Sequence, residues 1–189
     1  MKKLAIVLAI GLMSAVVPGF AQQQPKEPPK TVGEAVDRTM SGVEGEFVSA
    51  AEAMPEDKYS YAPTNGEFKG VRTFAQQVKH VAAVNYMLGA AIIGEKPPVE
   101  LGGENGPDNI KSKADIVKFL KESFAYTHKA AQSVTDKNIN DAVQSPFGPN
   151  KTSRTSLVLI MFGHPFDHYG QMVEYLRMNG IVPPASRGQ

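Results

Sequence analysis

Four stretches of this 189-residue chain carry apolar side chains every three or four residues, and Pro- and Gly-rich segments separate them. That period belongs to a helix with one buried stripe, so the chain predicts helices packed on one another. The first stretch opens at Thr31-Val32-Gly33-Glu34, which has the spacing of a capping box, and its stripe is Val32, Val36, Met40, Val43, Phe47, Ala51 and Met54. The second starts at Thr73, with Gln76 three residues on, and runs through Phe74, Val78, Val81, Asn85, Leu88 and Ile92 to a stop at Gly94. The third, from Ser112 or Lys113 to about Val134, places Val117, Leu120, Phe124, His128 and Ala131 on one face. The fourth spans Thr152 or Ser153 to Asn179, where Gly180, Ile181 and Pro183 form a terminator. Segments 55–72, 94–111 and 135–151 read as irregular crossings. The expected fold is all-α, a four-helix bundle over residues 31–186. Its long crossover connections leave the order open to something other than up-down-up-down.

The residues before the bundle point to export. Lys2 and Lys3 precede an apolar run from Leu4 to Val17, and Pro18-Gly19-Phe20-Ala21 offers small residues for cleavage after Ala21. The run is short for a membrane span, so residues 1–21 read as a signal peptide with no stable membrane insertion after its removal; a retained N-terminal anchor is the alternative. Location is then periplasmic or extracellular. Residues 22–30, rich in Gln and Pro, form a disordered leader. The chain has no Cys, which excludes a disulfide framework, a thiolate nucleophile and a cysteine lipid anchor. With 20 Lys+Arg against 19 Asp+Glu and no basic block, nucleic acid has no electrostatic footprint.

Chemistry concentrates in the histidines. His164 and His168 are four residues apart and share one face of the fourth helix. Leu157, Met161, Met172 and Tyr175 continue that stripe, so both imidazoles occupy positions that otherwise face the core. Burying them without partners would cost about 1–3 kcal/mol for each unsatisfied ring nitrogen. A metal satisfies one nitrogen of each ring and leaves the other for an outer acceptor. A hydrogen-bonded pair with no ion is the alternative. His80, on the second helix, lies to one side of its apolar stripe and is placed to look into a cleft. Were it to meet the pair, three neutral imidazoles would form a divalent site with an open position. The fourth histidine, His128, has no local partner and reads as a packing or half-exposed residue.

Pro165 stands inside the pair. It deletes one backbone hydrogen bond and disfavours helical geometry at His164. Either the fourth helix continues through it with a kink, or a new helix begins at Pro165.

At these residues the chain resembles the DinB-like superfamily, also called damage-inducible or YfiT-like, and in particular its predicted-secreted members. The resemblance runs from Val32 to Ser186 and is carried by Val71-Arg72-Thr73-Phe74-Ala75-Gln76-Gln77-Val78-Lys79-His80-Val81-Ala82 and by His168-Tyr169-Gly170-Gln171 through Gly180-Ile181-Val182-Pro183-Pro184. It implies a four-helix bundle holding a divalent metal, zinc or nickel, through one histidine of the second helix and a pair on the fourth. Those ligands map onto His80, His164 and His168. Pro165 is this chain's departure from the pattern. Some members are metal-dependent thiol transferases and others thiol-dependent isomerases.

Two functions follow as expectations. One is a metal-dependent hydrolase or transferase acting on a small molecule, since a three-histidine metal lowers the pKa of bound water to about 7 or holds a thiolate. Pro165 stands where a peptidase of the His-Glu-x-x-His type places its general base, which argues against that class. Asp167 and Glu174 are the nearest acids and read as solvated or supporting groups, Tyr169 as a core aromatic. No catalytic residue is assigned. The other function is a non-catalytic metal- or ligand-binding module, as a monomer or a homodimer through a helix face.

Overall fold

A computed structural model describes residues 27–188. The expected signal peptide, and residues 22–26 of the expected leader, lie outside the described residues. Glu27 to Lys30 are exposed and irregular, with the Glu27 carbonyl accepting from Arg38 Nη1 at 2.6 Å.

Four long helices form where the periodicity places them: α1 (Val32–Ala53), α2 (Phe74–Ile93), α3 (Lys113–Ser133) and α4 (Arg154–Met178). Each starts where a hydroxyl satisfies an orphan amide. Thr31, Thr73, Ser112 and Ser153 are the N-caps, accepting from the amides of Glu34, Gln76, Asp115 and Ser156. Thr73 and Gln76 complete a reciprocal capping box. Glu34 does not close one with Thr31, because its carboxylate reaches the Lys30 amide instead, at 2.7 Å. At the end of α4, Gly180 takes a left-handed φ of 72°. Its amide bonds to the Arg177 carbonyl and that of Ile181 to the Leu176 carbonyl, both at 2.9 Å, the two bonds of a Schellman stop.

Helices α3 and α4 each pack against both α1 and α2, with α2–α3 the most extensive contact. The order around the bundle is therefore α1, α3, α2, α4, and the connections α1→α2 and α3→α4 each cross a diagonal. This is the departure from up-down-up-down that the long crossings allow. Neighbouring helices are tied by side chains that serve carbonyls left over at helix ends. Lys113 Nζ donates to the Glu52 and Met54 carbonyls at 2.7 Å, closing α1 onto α3. Arg154 Nε donates to the Ile92 carbonyl at 2.9 Å, tying the start of α4 to the end of α2.

The core is the sum of the four stripes, with Met40, Phe47, Phe74, Leu88, Leu120, Phe124, Leu157, Met161 and Met172 fully buried. The segment 135–151 is not wholly irregular. It contains β1 (Ala142–Gln144), which pairs antiparallel with β2 (Lys151–Ser153) in the register Val143↔Thr152. Three-residue strands are too short for their alternation to stand out in the sequence.

His128 sits apart from the other histidines, on the flank of α3. Its Nδ1 lies 2.7 Å from Asp37 Oδ1 and its Nε2 3.1 Å from Glu44 Oε2, both on α1. Two carboxylate acceptors require protons on both nitrogens, so the ring is an imidazolium when the bridge is complete. Burial alone lowers its pKa, but the hydrogen bonds to Asp37 and Glu44 outweigh burial and the net shift is upward. A base with a raised folded pKa stabilises fully below its unfolded value near 6.5, and loses that contribution as pH rises through its folded value. His128→Gln is expected to lower stability by on the order of 1 kcal/mol at pH 6 and by much less at pH 9. Equal losses of melting temperature at the two pH values would disprove the charged bridge.

Candidate metal centre

The structure brings His80, His164 and His168 together. Ring centroids are separated by 5.0 Å for His80–His164, 4.8 Å for His80–His168 and 4.6 Å for His164–His168. One nitrogen from each ring lies within 4.8 Å of one from each of the others, a grouping that can hold a metal ion. Helix α4 runs unbroken through Pro165, so a fresh helix start at that residue is ruled out and the same-face relation of His164 and His168 is kept. Pro165 itself is buried. His168 is 6% exposed, while His80 and His164 are half-buried at the rim.

The surrounding hydrogen bonds decide which nitrogens face inward. His80 Nδ1 meets the Glu104 carbonyl at 2.6 Å, and a carbonyl only accepts, so Nδ1 carries the proton and Nε2 a lone pair. His168 Nδ1 meets Gln77 Oε1 at 2.5 Å, which fixes the same tautomer. Gln77 is held in turn, donating through Nε2 to Gln171 Oε1 at 2.8 Å, and Gln171 Nε2 reaches the Asp167 carboxylate at 3.2 Å. Both rings thus present Nε2, the pattern by which outer acceptors orient metal-ligating imidazoles.

His164 Nε2 lies 3.1 Å from His80 Nε2. Two nitrogens on one tetrahedral zinc, each about 2.0–2.1 Å from it, are about 3.3 Å apart. The same separation suits a hydrogen bond from His164 to His80. His164 Nδ1 is buried and has no partner. If the His164 proton sits on Nε2, the ring bonds His80 and strands an Nδ1 lone pair. With the proton on Nδ1, two lone pairs oppose each other across 3.1 Å unless a cation lies between them.

Electrostatics keeps the cluster neutral. Burial, then the neighbouring His168 and His80, push the His164 pKa down to about 3. Burial, His80 and Arg72 bring His168 to about 4, and burial with Arg72 lowers His80. Neutral imidazoles are what a metal requires.

Several supporting residues carry no signal in the sequence. The Gly102–Gly106 turn presses on α2, and at Gly106, whose φ is +74°, an added Cβ would lie 2.6 Å from the Lys79 Cβ. The buried Lys79 amine holds the same turn through the Pro107 carbonyl at 2.8 Å. This packing delivers the Glu104 carbonyl to His80. A cavity of about 390 Å³ opens beside His80, lined by Ala83, Val84, Met87 and Leu101 to Glu104, a volume suited to a small molecule. Asp167 and Glu174 are exposed, Tyr169 packs on the core, and His128 lies outside the cluster.

Removal of the Gln77 side chain, as in Gln77→Ala, is expected to weaken zinc binding about 10–100-fold while leaving helix content unchanged. Equal zinc affinity for the variant and the parent chain would show that His168 needs no outer acceptor.

Comparison with known proteins gives one consistent result. The family model described as the DinB superfamily matches residues 40–172. Among solved structures, a DinB-like protein from Bacillus cereus superposes with a TM-score of 0.61 at 16% identity, covering 82% of this chain and 96% of the other. A second DinB-like protein, from Bacillus subtilis, gives 0.61 at 17% identity, covering 78% and 94%. At these identities the likeness concerns the fold. No curated protein matches the chain.

Proposed function

The chain belongs to the DinB superfamily, and on that premise we propose an exported protein that binds a divalent metal, zinc or nickel, through His80, His164 and His168 and acts on a small molecule as a hydrolase or transferase. The observation that carries the reading is the pair of tautomers. His80 and His168 each spend Nδ1 on a protein oxygen, so two Nε2 lone pairs converge where His164 Nε2 also arrives. A bound divalent ion would supply Lewis acidity, and the cavity that His80 lines lies beside the cluster. The protein's own part is to hold three neutral rings, restrain two of them through Glu104 and Gln77, and offer an apolar wall formed by Val84, Met87 and Leu101.

Export is supported by the charged start, apolar run and small residues within positions 1–21. Among the described residues no helix is long and apolar enough to cross a membrane. An exported site has little access to reduced cytosolic thiols, which favours hydrolysis or detoxification over thiol transfer. A mass measured on secreted protein tests cleavage after Ala21.

One observation favours the non-catalytic reading. Asp167 is engaged by Gln171, and Glu174 is exposed, so neither acid is set up as a general base. Turnover of ester, amide and phosphoester substrates, lost on chelation and restored by zinc or nickel, supports the enzyme. A chain that holds the metal tightly and turns over none of them is a binding module.

A further inference from the structure

Arg72 is the residue just before the N-cap of α2, and its backbone is anchored from α4 by the Tyr175 hydroxyl, which donates to the Arg72 carbonyl at 3.0 Å. Its guanidinium is committed to the turn that also serves His80. Nε donates to Asn105 Oδ1 at 3.1 Å, and Nη2 to Glu104 Oε2 at 3.1 Å and the Glu104 carbonyl at 3.4 Å. That carbonyl is the one His80 Nδ1 uses at 2.6 Å, so a single oxygen links the cation to the histidine cluster.

The two ends of the Arg72–Glu104 pair differ in exposure. The Arg72 side chain is 28% exposed and the Glu104 side chain 86%. Arg72 is therefore fixed and half-sheltered, whereas the carboxylate that neutralises it stands in solvent and is displaced at little cost. The cluster contains no acid, so a divalent ion there keeps its full charge beside a guanidinium. Burial is the main reason the three rings stay neutral, and the Arg72 charge acts in the same direction on each of them. Asp167 opposes this at His164 and Glu104 at His80; Gln171 engages the first, and the second stands in solvent. With an ion bound and the exposed Glu104 carboxylate swung away, such a mouth would be positive and favour anions.

We infer that Arg72 recognises the anionic group of the molecules taken at this site, that the Glu104 carboxylate holds its place in the resting protein, and that those molecules are small carboxylates with an apolar body. Like replaces like: one arm of the guanidinium, Nη2, already donates to a carboxylate oxygen, and an incoming carboxylate can take that place. The body follows from the cavity wall, where Val84, Met87 and Leu101 lie beside Glu104. The inference rests on the proposed metal-dependent reading, which it deepens by naming a ligand class.

The test titrates benzoate, and its uncharged counterpart benzamide, into zinc-loaded full chain by calorimetry, with zinc affinity measured separately for each variant. Benzoate is expected to bind at least tenfold more tightly than benzamide. With zinc kept saturating for each variant, Arg72→Gln should weaken benzoate at least tenfold, and Arg72→Lys by a smaller factor, since it keeps the charge and loses the planar donor geometry. Glu104→Gln should tighten benzoate several-fold by freeing Arg72. If Arg72→Gln lowers zinc affinity and leaves benzoate binding intact, Arg72 merely supports the turn and the inference is overturned. Benzamide binding as well as benzoate, or no benzoate binding to zinc-loaded chain, overturns it equally. Arg72-dependent benzoate binding by a chain that takes up no zinc would leave the inference standing and sink the metal reading alone.

Discussion

Purified without a polyhistidine tag, this chain is expected to carry close to one zinc or nickel per molecule, and the His80→Ala/His164→Ala/His168→Ala variant far less. The expectation follows from an arrangement made by two helices. Helix α2 contributes one ring and α4 two, and the tautomers of His80 and His168 are set by partners that can only accept. Each single substitution should cost more affinity than the roughly 10–100-fold tied to an outer partner. Loss of His168 should be the most damaging, because its ring is the most buried and is anchored through Gln77. His164, whose Nδ1 lacks a partner, is the least restrained, and its loss should cost least. Elemental analysis of parent and variant proteins, with circular dichroism to show that helices persist, decides the matter. Parent protein holding no metal after equilibration with zinc, or a triple variant holding as much as the parent, would end the proposal.

The helices were legible because their signals are local. Thr31, Thr73, Ser112 and Ser153 cap within one turn of their own amides, and the stripes repeat within a single segment. The Gly180-Ile181 stop was legible for the same reason. The His164–His168 face was readable from spacing, and α4 preserves it through Pro165. That His80 completes the group depends on α2 lying beside α4, which no local pattern encodes. From the residues alone His80 is only a conditional third ligand, and the resemblance is what maps it onto the site. The support of His80 was not legible at all: a backbone carbonyl leaves no residue-specific mark, and Glu104 lies in a glycine-rich turn 24 residues away. Gln77 did leave a trace, being one helical turn before His80, but a glutamine there reads equally as a surface residue until His168 is known to face it. The β1–β2 hairpin was missed because strands of three residues carry too little pattern.

Stability should depend on pH and metal together, and the two histidine groups should act with opposite signs. In the metal-free chain, His164 and His168 have folded pKa values of about 3 and about 4, below an unfolded value near 6.5. Between those limits the unfolded chain binds more protons than the folded one, so unfolding gains as pH falls. The stability these rings permit is complete above about pH 6.5 and drains away as pH drops toward 4. His128, with its raised pKa, contributes in acid and fades in alkali. Zinc at 100 times its Kd would add about 2.7 kcal/mol, or roughly 5–10 °C in a chain of this size. A chelator at pH 7.5 should remove that increment and excess zinc restore it. Proton competition should set in below the ordinary histidine range near 6, because the folded rings resist protonation until the pH approaches 4. The zinc increment should therefore persist at pH 6 and begin to shrink only as the pH falls to 4 and below. Melting curves of the parent chain and the triple alanine variant, with zinc and with chelator at pH 4, 6 and 7.5, separate these contributions. An increment that vanishes already at pH 6 would mean that the cluster is wetter than its burial implies. A parent chain indifferent to zinc and chelator at every pH would leave the three rings as a hydrogen-bonded cluster without an ion.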